Sequence, residues 1–398
     1  MPGLAVAGPR ASGAALDWGP DGLGLDSLAR MQLATAAATW CNAYDAGYED
    51  LFLAKRSVAD WAQVMRRARA SGAQHFTFAS SGSTGARQHI RHREDILTAE
   101  AQAWAAVLTA APHQPNQASQ PTPSIQRVVV LAPTHHIYGF IWGVLVPLAL
   151  SVPVVDADLA ALPVFLPGDL VVAVPDQWAW LAGRRWPAGV CGVSSTAPLP
   201  DAVHRKLTDP LANAPGPSAT LVRLLQIYGS SETAGLAWRD APDQPYTLAP
   251  GRTPTPEGGI ELLLPNGTQA ALPVQDELRW AGPNQFELLR RSDHAVQVGG
   301  HNVSPNWVAA QLLTHPAVQH AAVRLSTTAT PPRLKAFVVL HPASGKSDES
   351  AHAADLAQRN ALQAWAASTL PWYASLCTIT YGSELPRNAM GKPSDWQD

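Results

Sequence analysis

A run of hydroxyl-bearing and glycine residues stands directly after the apolar stretch 75–79. Its members are Ser80, Ser81, Gly82, Ser83, Thr84 and Gly85. Glycines let the backbone turn its N–H groups into a concave anion cradle, and serine and threonine add hydrogen-bond donors that carry no charge. The composition therefore favours a phosphate-binding loop. A Ser/Gly turn without a ligand is the competing interpretation.

The loop at 80–85 does not follow the Walker pattern of P-loop proteins. That pattern has four residues between its glycines and then Gly-Lys-Ser/Thr. Here a shorter gap separates Gly82 from Gly85, and Ala86, Arg87 and Gln88 follow. The loop alone does not identify the phosphate chemistry, so the neighbouring segments are needed to infer it.

Length and composition describe a globular protein of two or three domains. The chain has 398 residues, of which 46% are hydrophobic and 15% are charged. Its net charge of −3 offers no electrostatic basis for binding nucleic acid or an anionic membrane. The N-terminus lacks a basic segment followed by an apolar core, so no signal peptide is expected. The longest apolar stretch, 137–150, is too short to span a bilayer and predicts a buried helix in a soluble protein.

The cysteines and histidines show no metal-ligand spacing. Cys41, Cys191 and Cys377 are far apart in the chain. The histidines include the pair His135 and His136, but there is no HExxH motif and no Cys/His cluster. We interpret the cysteines as reduced thiols of a cytoplasmic protein and expect no structural zinc.

Apolar patterning predicts a layered α/β domain after a short helical segment. The segment 22–70 contains two candidate helix caps. One is Asp26 with Ser27, and the other is Ser57. From residue 76 onward, strands alternate with helices. The strands are expected at 128–132, 152–155, 170–174 and 224–227, and the helices at 95–110 and 141–150.

The character of the chain changes after about residue 292. A helix at 305–313, strands at 321–325 and 336–340, and a second helix at 351–368 predict a small α+β domain. The expected organisation is a short helical segment at 1–70, a large domain at 71–292 and a small domain at 293–398.

Further polar segments follow the phosphate loop in a fixed order. They are Pro-Thr-His-His-Ile-Tyr-Gly (133–139), Ser-Thr-Ala-Pro-Leu (195–199), Tyr-Gly-Ser-Ser-Glu-Thr (228–233), Asp276, Arg-Ser-Asp (291–293) with Gly-Gly-His-Asn-Val (299–303), and Leu-Pro-Arg-Asn-Ala-Met-Gly-Lys (385–392). With these motifs, residues 75–398 resemble the acyl-adenylate-forming (AMP-binding) superfamily of acyl-CoA synthetases, aryl-acid ligases and peptide-synthetase adenylation domains. The resemblance implies a large layered α/β adenylation domain followed by a small mobile α+β C-terminal domain.

The resemblance also implies a reaction in two steps. A carboxylate attacks the α-phosphate of ATP to give acyl-AMP and pyrophosphate, and a thiol of CoA or of a carrier protein then takes the acyl group. Joining two anions requires charge neutralisation and fixed geometry more than a protein nucleophile. The expected cofactors are ATP, Mg²⁺ and CoA or a phosphopantetheinyl carrier. The expected partners are a small carboxylic acid and an acyl carrier protein.

For ATP binding, the resemblance assigns residues from several motifs. They are Ser81, Gly82, Ser83, Thr84, Gly85, Arg87, Ser195, Thr196, Ala197, Tyr228, Gly229, Ser231, Asp276 and Arg291. Tyr228 offers a flat face for adenine, and Asp276 would accept hydrogen bonds from both ribose hydroxyls. Glu232 would carry Mg²⁺, which takes one or two carboxylates and otherwise phosphate oxygens. A turn tyrosine, an exposed glutamate and a surface arginine are the alternatives for Tyr228, Glu232 and Arg291.

Lys392 is the residue that we assign to the adenylation step. A lysine stem delivers an ammonium group to the junction of carboxylate and α-phosphate, where negative charge concentrates in the transition state. The chain is poor in lysine, since only Lys55, Lys206, Lys335 and Lys346 accompany Lys392. A tail lysine kept for solubility is the weaker interpretation.

The thioester step requires a different geometry. The resemblance implies that the C-terminal domain rotates about Asp293 and replaces the Lys392 loop with the loop of Gly299 and Gly300. These glycines would let a pantetheine arm pass close to the backbone. His136 matches the family's histidine or aromatic residue at the acyl pocket and thiol tunnel, with a core or capping histidine as an equal alternative.

Three residues, two after the phosphate loop and one after the hinge, depart from the family pattern. Arg87 and Gln88 replace the usual Pro-Lys, and Gln297 replaces the usual lysine after the hinge. Arg87 can supply the missing charge, and the set of Glu232, Asp276 and Lys392 is intact. An active enzyme is therefore favoured over a non-catalytic nucleotide-binding homologue.

The N-terminal segment is shorter than in the family and resembles something else. Leu-Gly-Leu-Asp-Ser-Leu at 23–28 resembles the phosphopantetheine attachment motif of acyl carrier proteins, which makes Ser27 a candidate modification site. The residues before Ser27 are few and include Gly and Pro, however, so we do not expect the first helix of a carrier protein there. A helix cap at Ser27 and a carrier remnant used for docking are the alternatives.

The predicted function is that of an acid–thiol ligase acting on an aryl acid such as a hydroxybenzoate. This preference rests on the segment Gly-Gly-His-Asn-Val-Ser-Pro at 299–305 and on the small size of the chain, which look most like aryl-activating members. A fatty-acid ligase that loads a carrier protein and an amide-forming adenylation protein are the alternatives.

Overall fold

The protein is described from a computed structural model. The described residues are 17–18, 23–80, 88–110, 124–209, 220–264, 266–291, 295–299, 301–326, 328–329, 331–341, 348–386 and 394–397. They divide into two compact units. The larger unit holds the described residues within 17–80, 89–274 and 278–287, and the smaller unit holds the others.

Ten α-helices lie in the described residues. They are α1 (Ser27–Trp40), α2 (Glu49–Ala54), α3 (Val58–Ala70), α4 (Glu94–Thr109), α5 (Ile137–Phe140), α6 (Val146–Leu150), α7 (Pro175–Leu181), α8 (Asp201–Thr208), α9 (Pro305–Leu312) and α10 (Asp348–Thr369). One π-helical turn, Ile141–Leu145, joins α5 to α6. Short 3₁₀ turns occupy Ala43–Ala46 and Trp372–Ala374.

The strands of the described residues form five sheets. They are β1 (His75–Ser80), β2 (Gln88–Arg93), β3 (Arg127–Val130), β4 (Val154–Asp156), β5 (Asp169–Ala173), β6 (Cys191–Ser194), β7 (Arg223–Ser230), β8 (Ala234–Arg239), β9 (Tyr246–Leu248), β10 (Arg252–Pro254), β11 (Ile260–Leu263), β12 (Gln269–Ala271), β13 (Asp276–Gly282), β14 (Gln285–Arg291), β15 (Val296–Val298), β16 (His301–Val303), β17 (Val318–Leu325), β18 (Leu334–Leu340) and β19 (Leu376–Tyr381). The largest sheet has nine strands in the order β13-β14-β9-β8-β7-β6-β5-β3-β4.

Five neighbouring strands of the large sheet, β4, β3, β5, β6 and β7, are parallel. The next pairs, β7 with β8 and β8 with β9, are antiparallel. Apolar clusters cover both faces, because Leu170 and Val172 of β5 join one cluster while Val171 and Ala173 join the other. This explains the unbroken apolar runs of the parallel strands, which are buried on both sides. The predicted layered α/β fold is confirmed.

The helix predicted at 141–150 begins earlier than expected, at Ile137, and contains the π turn. Two glycines permit its close packing. A Cβ atom on Gly139 would lie 2.2 Å from the Pro133 carbonyl oxygen, and one on Gly143 would lie 2.9 Å from the Val130 side chain. A π turn accommodates an extra residue within a helix and is frequent near functional sites. No helix of the described residues is long and apolar enough to cross a membrane.

The N-terminal helices α1, α2 and α3 are part of the larger unit. Their own core includes Phe52 and Trp61, while Trp40 packs against this core and against the cluster on the sheet. The amide of Asn42 donates to the Thr77 hydroxyl at 2.8 Å. Helix α3 is capped by Ser57, as predicted. Helix α1 is capped by the Asp26 carboxylate, which accepts from the N–H of Ala29 at 2.7 Å. The alternative prediction, that Ser27 itself is the cap, is therefore wrong. Ser27 is the exposed first residue of that helix.

The smaller unit has a core of its own. Strand β18 pairs with β17 antiparallel and with β19 in parallel. Helices α9 and α10 contribute Val308, Leu312 and Leu362 to the apolar cluster on this sheet. The α+β character predicted for the C-terminal region is therefore confirmed in the elements observed.

Candidate active site

Three predicted motifs lie at the carboxyl ends of parallel strands in the larger unit. His135 and His136 follow β3, Ser195 follows β6, and Tyr228 lies near the end of β7. The chain passes from β3 outward to β4 and then back across to β5, so the direction of winding reverses beside β3. In open α/β sheets, ligands bind outside the carboxyl ends of the strands at such a reversal. The sheet thus presents these motifs at the edge where a substrate would bind.

The turn Ser231–Thr233, which joins β7 to β8, is held by its own hydroxyl groups. We call it the Glu232 turn. The Thr233 hydroxyl accepts from the N–H of Ser230 at 3.0 Å. The Ser230 hydroxyl in turn accepts from the N–H of Glu232 at 3.2 Å. Gly229 is required beside the turn, because a Cβ atom there would lie 2.0 Å from the carbonyl oxygen of Ala234.

The carboxylate of Glu232 fits a metal ion that is shared with a phosphate ligand. Its side chain is half-buried and makes no ion pair with the residues that the structure describes. No group of three or more His, Cys, Asp and Glu side chains within the described ranges could hold a metal ion. Mg²⁺ is commonly bound by one or two carboxylates together with substrate phosphates, so the donor set agrees with that mode.

The segment after β6 contains a strained residue with an unpaired hydroxyl. The Ser195 hydroxyl is buried and donates to the carbonyl of Ile227 at 2.9 Å, which ties this segment to β7 beside Tyr228. Thr196 has a φ of 79°, in the left-handed region that disfavours residues with a Cβ. Its Oγ1 is buried and finds no hydrogen-bond partner among the described residues. Strain and an unpaired buried donor are typical of a ligand contact. Ala197 follows and is half-buried.

The ring of Tyr228 belongs to an aromatic group. Its centroid lies 5.7 Å from the ring of Tyr246 and 5.7 Å from that of Phe286. The Tyr228 side chain is half-buried. This backing fixes the plane of the ring, as binding a flat base would require.

Helix α5 connects the histidine motif to the strand ends. His136 precedes the helix, is half-buried, and lies with its ring 4.3 Å from that of His135. The buried hydroxyl of Tyr138 donates to the carbonyls of Ala173 at 3.1 Å and Val193 at 2.9 Å, at the ends of β5 and β6. Burial raises the pKa of Tyr138 well above its usual value, so it stays protonated as a donor. Sequence reasoning missed this residue.

Two side chains far away in the chain contact the Glu232 turn and its strand. The Nε2 of His92 donates to the Ser231 carbonyl at 2.7 Å. The Glu100 carboxylate accepts from the N–H of Gly235 at 2.9 Å and pairs with Arg252 at 2.7 Å. Glu100 and Arg252 are both buried. Sequence reasoning missed all three residues, since no local motif marks them.

The remaining described candidates belong to the smaller unit. Asp276 is the half-buried first residue of β13. Gly299 has a φ of 54°, and a Cβ atom there would lie 3.3 Å from the indole of Trp372. The ring of His301 lies 5.0 Å from that same indole. Arg291 ends β14, and its side chain is outside the described part.

Several predicted site residues lie outside the described residues. They are Ser81, Gly82, Ser83, Thr84, Gly85, Arg87, Asp293, Gly300 and Lys392.

Comparison with known proteins decides the family. No family model matches the chain. The chain is 35% identical over 375 residues to the 4-coumarate–CoA ligase of Halorhodospira halophila, covering 92% of this chain and 87% of that protein. It is 34% identical over 387 residues to the 4-coumarate–CoA ligase of Rhodobacter capsulatus, covering 94% and 91%. The chain belongs to the acyl-adenylate-forming superfamily.

Membership of this superfamily agrees with the fold. An o-succinylbenzoate CoA synthetase from Bacillus subtilis superposes with a TM-score of 0.57 at 17% identity, over 80% of this chain and 67% of that one. The resemblance to this superfamily that the motifs indicated is confirmed. The chain is an AMP-forming acid–thiol ligase, which activates a carboxylic acid with ATP and transfers the acyl group to CoA.

Proposed function

We propose that this ligase converts an aryl acid of the 4-coumarate class to its CoA thioester. The similarity to 4-coumarate–CoA ligases over more than nine-tenths of the chain carries this proposal. The proposed substrate belongs to the aryl-acid class predicted from the sequence, but a hydroxycinnamate replaces the hydroxybenzoate as the preferred acid.

In the first step, a carboxylate oxygen of the acid attacks the α-phosphorus of ATP and pyrophosphate leaves. We assign Tyr228 to the adenine ring and Asp276 to the ribose. The loop 81–85 with Arg87, the unpaired hydroxyl of Thr196, and Arg291 are assigned to the phosphates and ribose. Lys392 stabilises the charge at the junction of carboxylate and phosphate. Glu232 would hold Mg²⁺, which neutralises phosphate charge when bound.

In the second step, the thiol sulfur of CoA attacks the acyl carbonyl carbon, AMP leaves and the thiol loses its proton. We assign the passage of the pantetheine arm to Gly299 and Gly300, because glycine leaves room beside the backbone. His136 is assigned to the meeting point of acyl group and thiol, and Asp293 to the hinge between the two steps. A carrier protein is the alternative acceptor, and Ser27 remains a candidate site for such a carrier group.

Release of pyrophosphate and formation of thioester across an acid panel test this proposal. The panel contains 4-coumarate, 4-hydroxybenzoate and octanoate, each with CoA, with a phosphopantetheinylated carrier protein, or with hydroxylamine alone. We expect 4-coumarate with CoA to give the highest kcat/KM and a thioester of matching mass. Preference for octanoate or the carrier protein would overturn the substrate assignment. Hydroxamate formation without thioester would indicate an amide-forming enzyme.

A further inference from the structure

Two side chains from elsewhere in the chain hold the Glu232 turn by hydrogen bonds, one beside strand β7 and one on strand β8. We call these two side chains its anchors. On the β7 side, His92 of β2 donates to the Ser231 carbonyl at 2.7 Å. On the β8 side, Glu100 of α4 accepts from the N–H of Gly235 at 2.9 Å. In the β7–β8 ladder, Gly235 stands opposite Gly229. Both anchors therefore bind main-chain atoms beside Glu232 and leave its carboxylate available.

The anchor at Glu100 is built into the core. Its Oε1 also accepts from the indole N–H of Trp104 at 3.0 Å, and its Oε2 pairs with Arg252. A buried charge pair is costly to break, because removal of one partner leaves the other charge unpaired. Glu100 thus supports the fold as well as the turn, and its variants cannot separate the two roles.

The anchor at His92 is simpler. The Ser231 carbonyl can only accept, so the Nε2 of His92 carries the proton. Burial lowers the pKa of His92, so the imidazole is neutral at neutral pH. The ring packs 6.0 Å from that of Phe78, which holds its orientation. Here a single neutral hydrogen bond, with no buried ion pair, ends on the residue next to Glu232.

We propose that His92 is a positioning residue that holds the Glu232 turn in the geometry needed to bind Mg·ATP. This inference rests on the proposed role of Glu232. Replacing a residue whose hydrogen bonds orient a metal ligand commonly changes the affinity of the site for the metal. Without this bond, the Ser231 carbonyl is free to turn and the adjacent carboxylate moves with it.

Two substitutions at His92 separate positioning from folding. His92→Leu removes the donor and places an apolar side chain of similar size in the half-buried site. His92→Gln keeps a donor, because its amide nitrogen reaches about as far as the imidazole Nε2. His320→Leu, at an exposed histidine of β17, is the matched control.

Isothermal titration of each variant with Mg·ATP, and with ATP in the presence of EDTA, tests the proposal. We expect His92→Leu to weaken binding of Mg·ATP by about tenfold to a hundredfold. Binding of metal-free ATP should stay at the wild-type level in every variant. His92→Gln should recover most of the loss, and His320→Leu should behave as wild type.

Unchanged Mg·ATP affinity in His92→Leu, an equal loss with and without metal, or no recovery in His92→Gln would each overturn the inference. Different results would contradict the proposed function. A wild-type protein that binds Mg·ATP but forms no thioester with any acid contradicts that function, and the comparison of variants remains valid. A wild-type protein that binds no Mg·ATP contradicts both.

Discussion

Glu232 illustrates how a single side chain acquires its assigned role from its surroundings. The main-chain N–H of Glu232 is held by the Ser230 hydroxyl, while its carboxylate forms no ion pair with a described cation. An arrangement that fixes the backbone and leaves the charge available is suited to an incoming cation. A solvated surface glutamate would need none of these bonds.

Replacement of Glu232 by glutamine should therefore slow catalysis more than it changes folding. We expect kcat for pyrophosphate release to fall by about 10²-fold, because charge stabilisation at the phosphates is lost. The Mg²⁺ concentration needed for half-maximal rate should rise. Pyrophosphate release measured across a Mg²⁺ series checks this, with the exposed Glu257→Gln as control. Wild-type kinetics in Glu232→Gln would rule out the metal role.

One buried and two half-buried histidines give the protein a defined response to acid. Burial lowers the pKa values of His92, His204 and His301 below the usual value. Because the unfolded chain binds protons near pH 6.5, the folded state binds fewer protons just below that pH. This contribution to stability is complete above about pH 6.5 and is lost as the pH falls through the lowered values.

His204 allows that contribution to be measured. Its Nε2 bonds to the Asp240 carbonyl at 3.0 Å, and the amide of a glutamine can replace that bond without titrating. We expect the unfolding free energy of wild type, relative to His204→Gln, to decrease between pH 7 and pH 5. Urea unfolding at both pH values provides the comparison. A difference that does not change with pH would contradict the assignment.

At the scale of elements, Tyr138 connects helix α5 to two strands at once. Its hydroxyl bonds to carbonyls at the ends of β5 and β6, beside the predicted substrate edge. Tyr138→Phe should lower the free energy of unfolding by about 1–2 kcal/mol, since the buried Ala173 carbonyl loses this donor, whereas the Val193 carbonyl still accepts from the indole N–H of Trp178. Denaturant unfolding checks this, and Tyr44→Phe, at an exposed tyrosine, is the control. Equal stability of Tyr138→Phe and wild type would show that these bonds contribute nothing.

Much of the element pattern could be predicted because it depends on local composition. The valine-rich run of β3 and the capped start of α3 are read directly from neighbouring residues. The carboxyl-end position of Tyr228 followed from the strand before it. The π turn at Ile141–Leu145 could not be predicted from local composition, and the closeness of its Gly143 to Val130 of strand β3 is visible only in the folded chain.

The anchors of the site could not be predicted either, for a related reason. His92 and Ser231 are 139 positions apart in the chain, and Glu100 and Gly235 are 135 apart. Nothing in the local sequence distinguishes such a histidine from a surface residue on strand β2. Only the folded arrangement brings these partners together.

At the scale of the whole molecule, the proposed reaction consists of two steps with different requirements. We propose that adenylation needs Lys392 to offset charge where two anions meet, whereas thioester formation needs a path for a thiol past Gly299. Removing Lys392 should therefore block the first step and spare the second.

Pyrophosphate release and thioester formation by Lys392→Ala test this division most directly. With 4-coumarate, Mg·ATP and CoA, we expect pyrophosphate release about 10²–10³-fold slower than in wild type. With synthetic 4-coumaroyl-AMP and CoA, thioester should form at the wild-type rate, and Lys55→Ala should behave as wild type in both assays. Pyrophosphate release by Lys392→Ala at the wild-type rate would contradict the account.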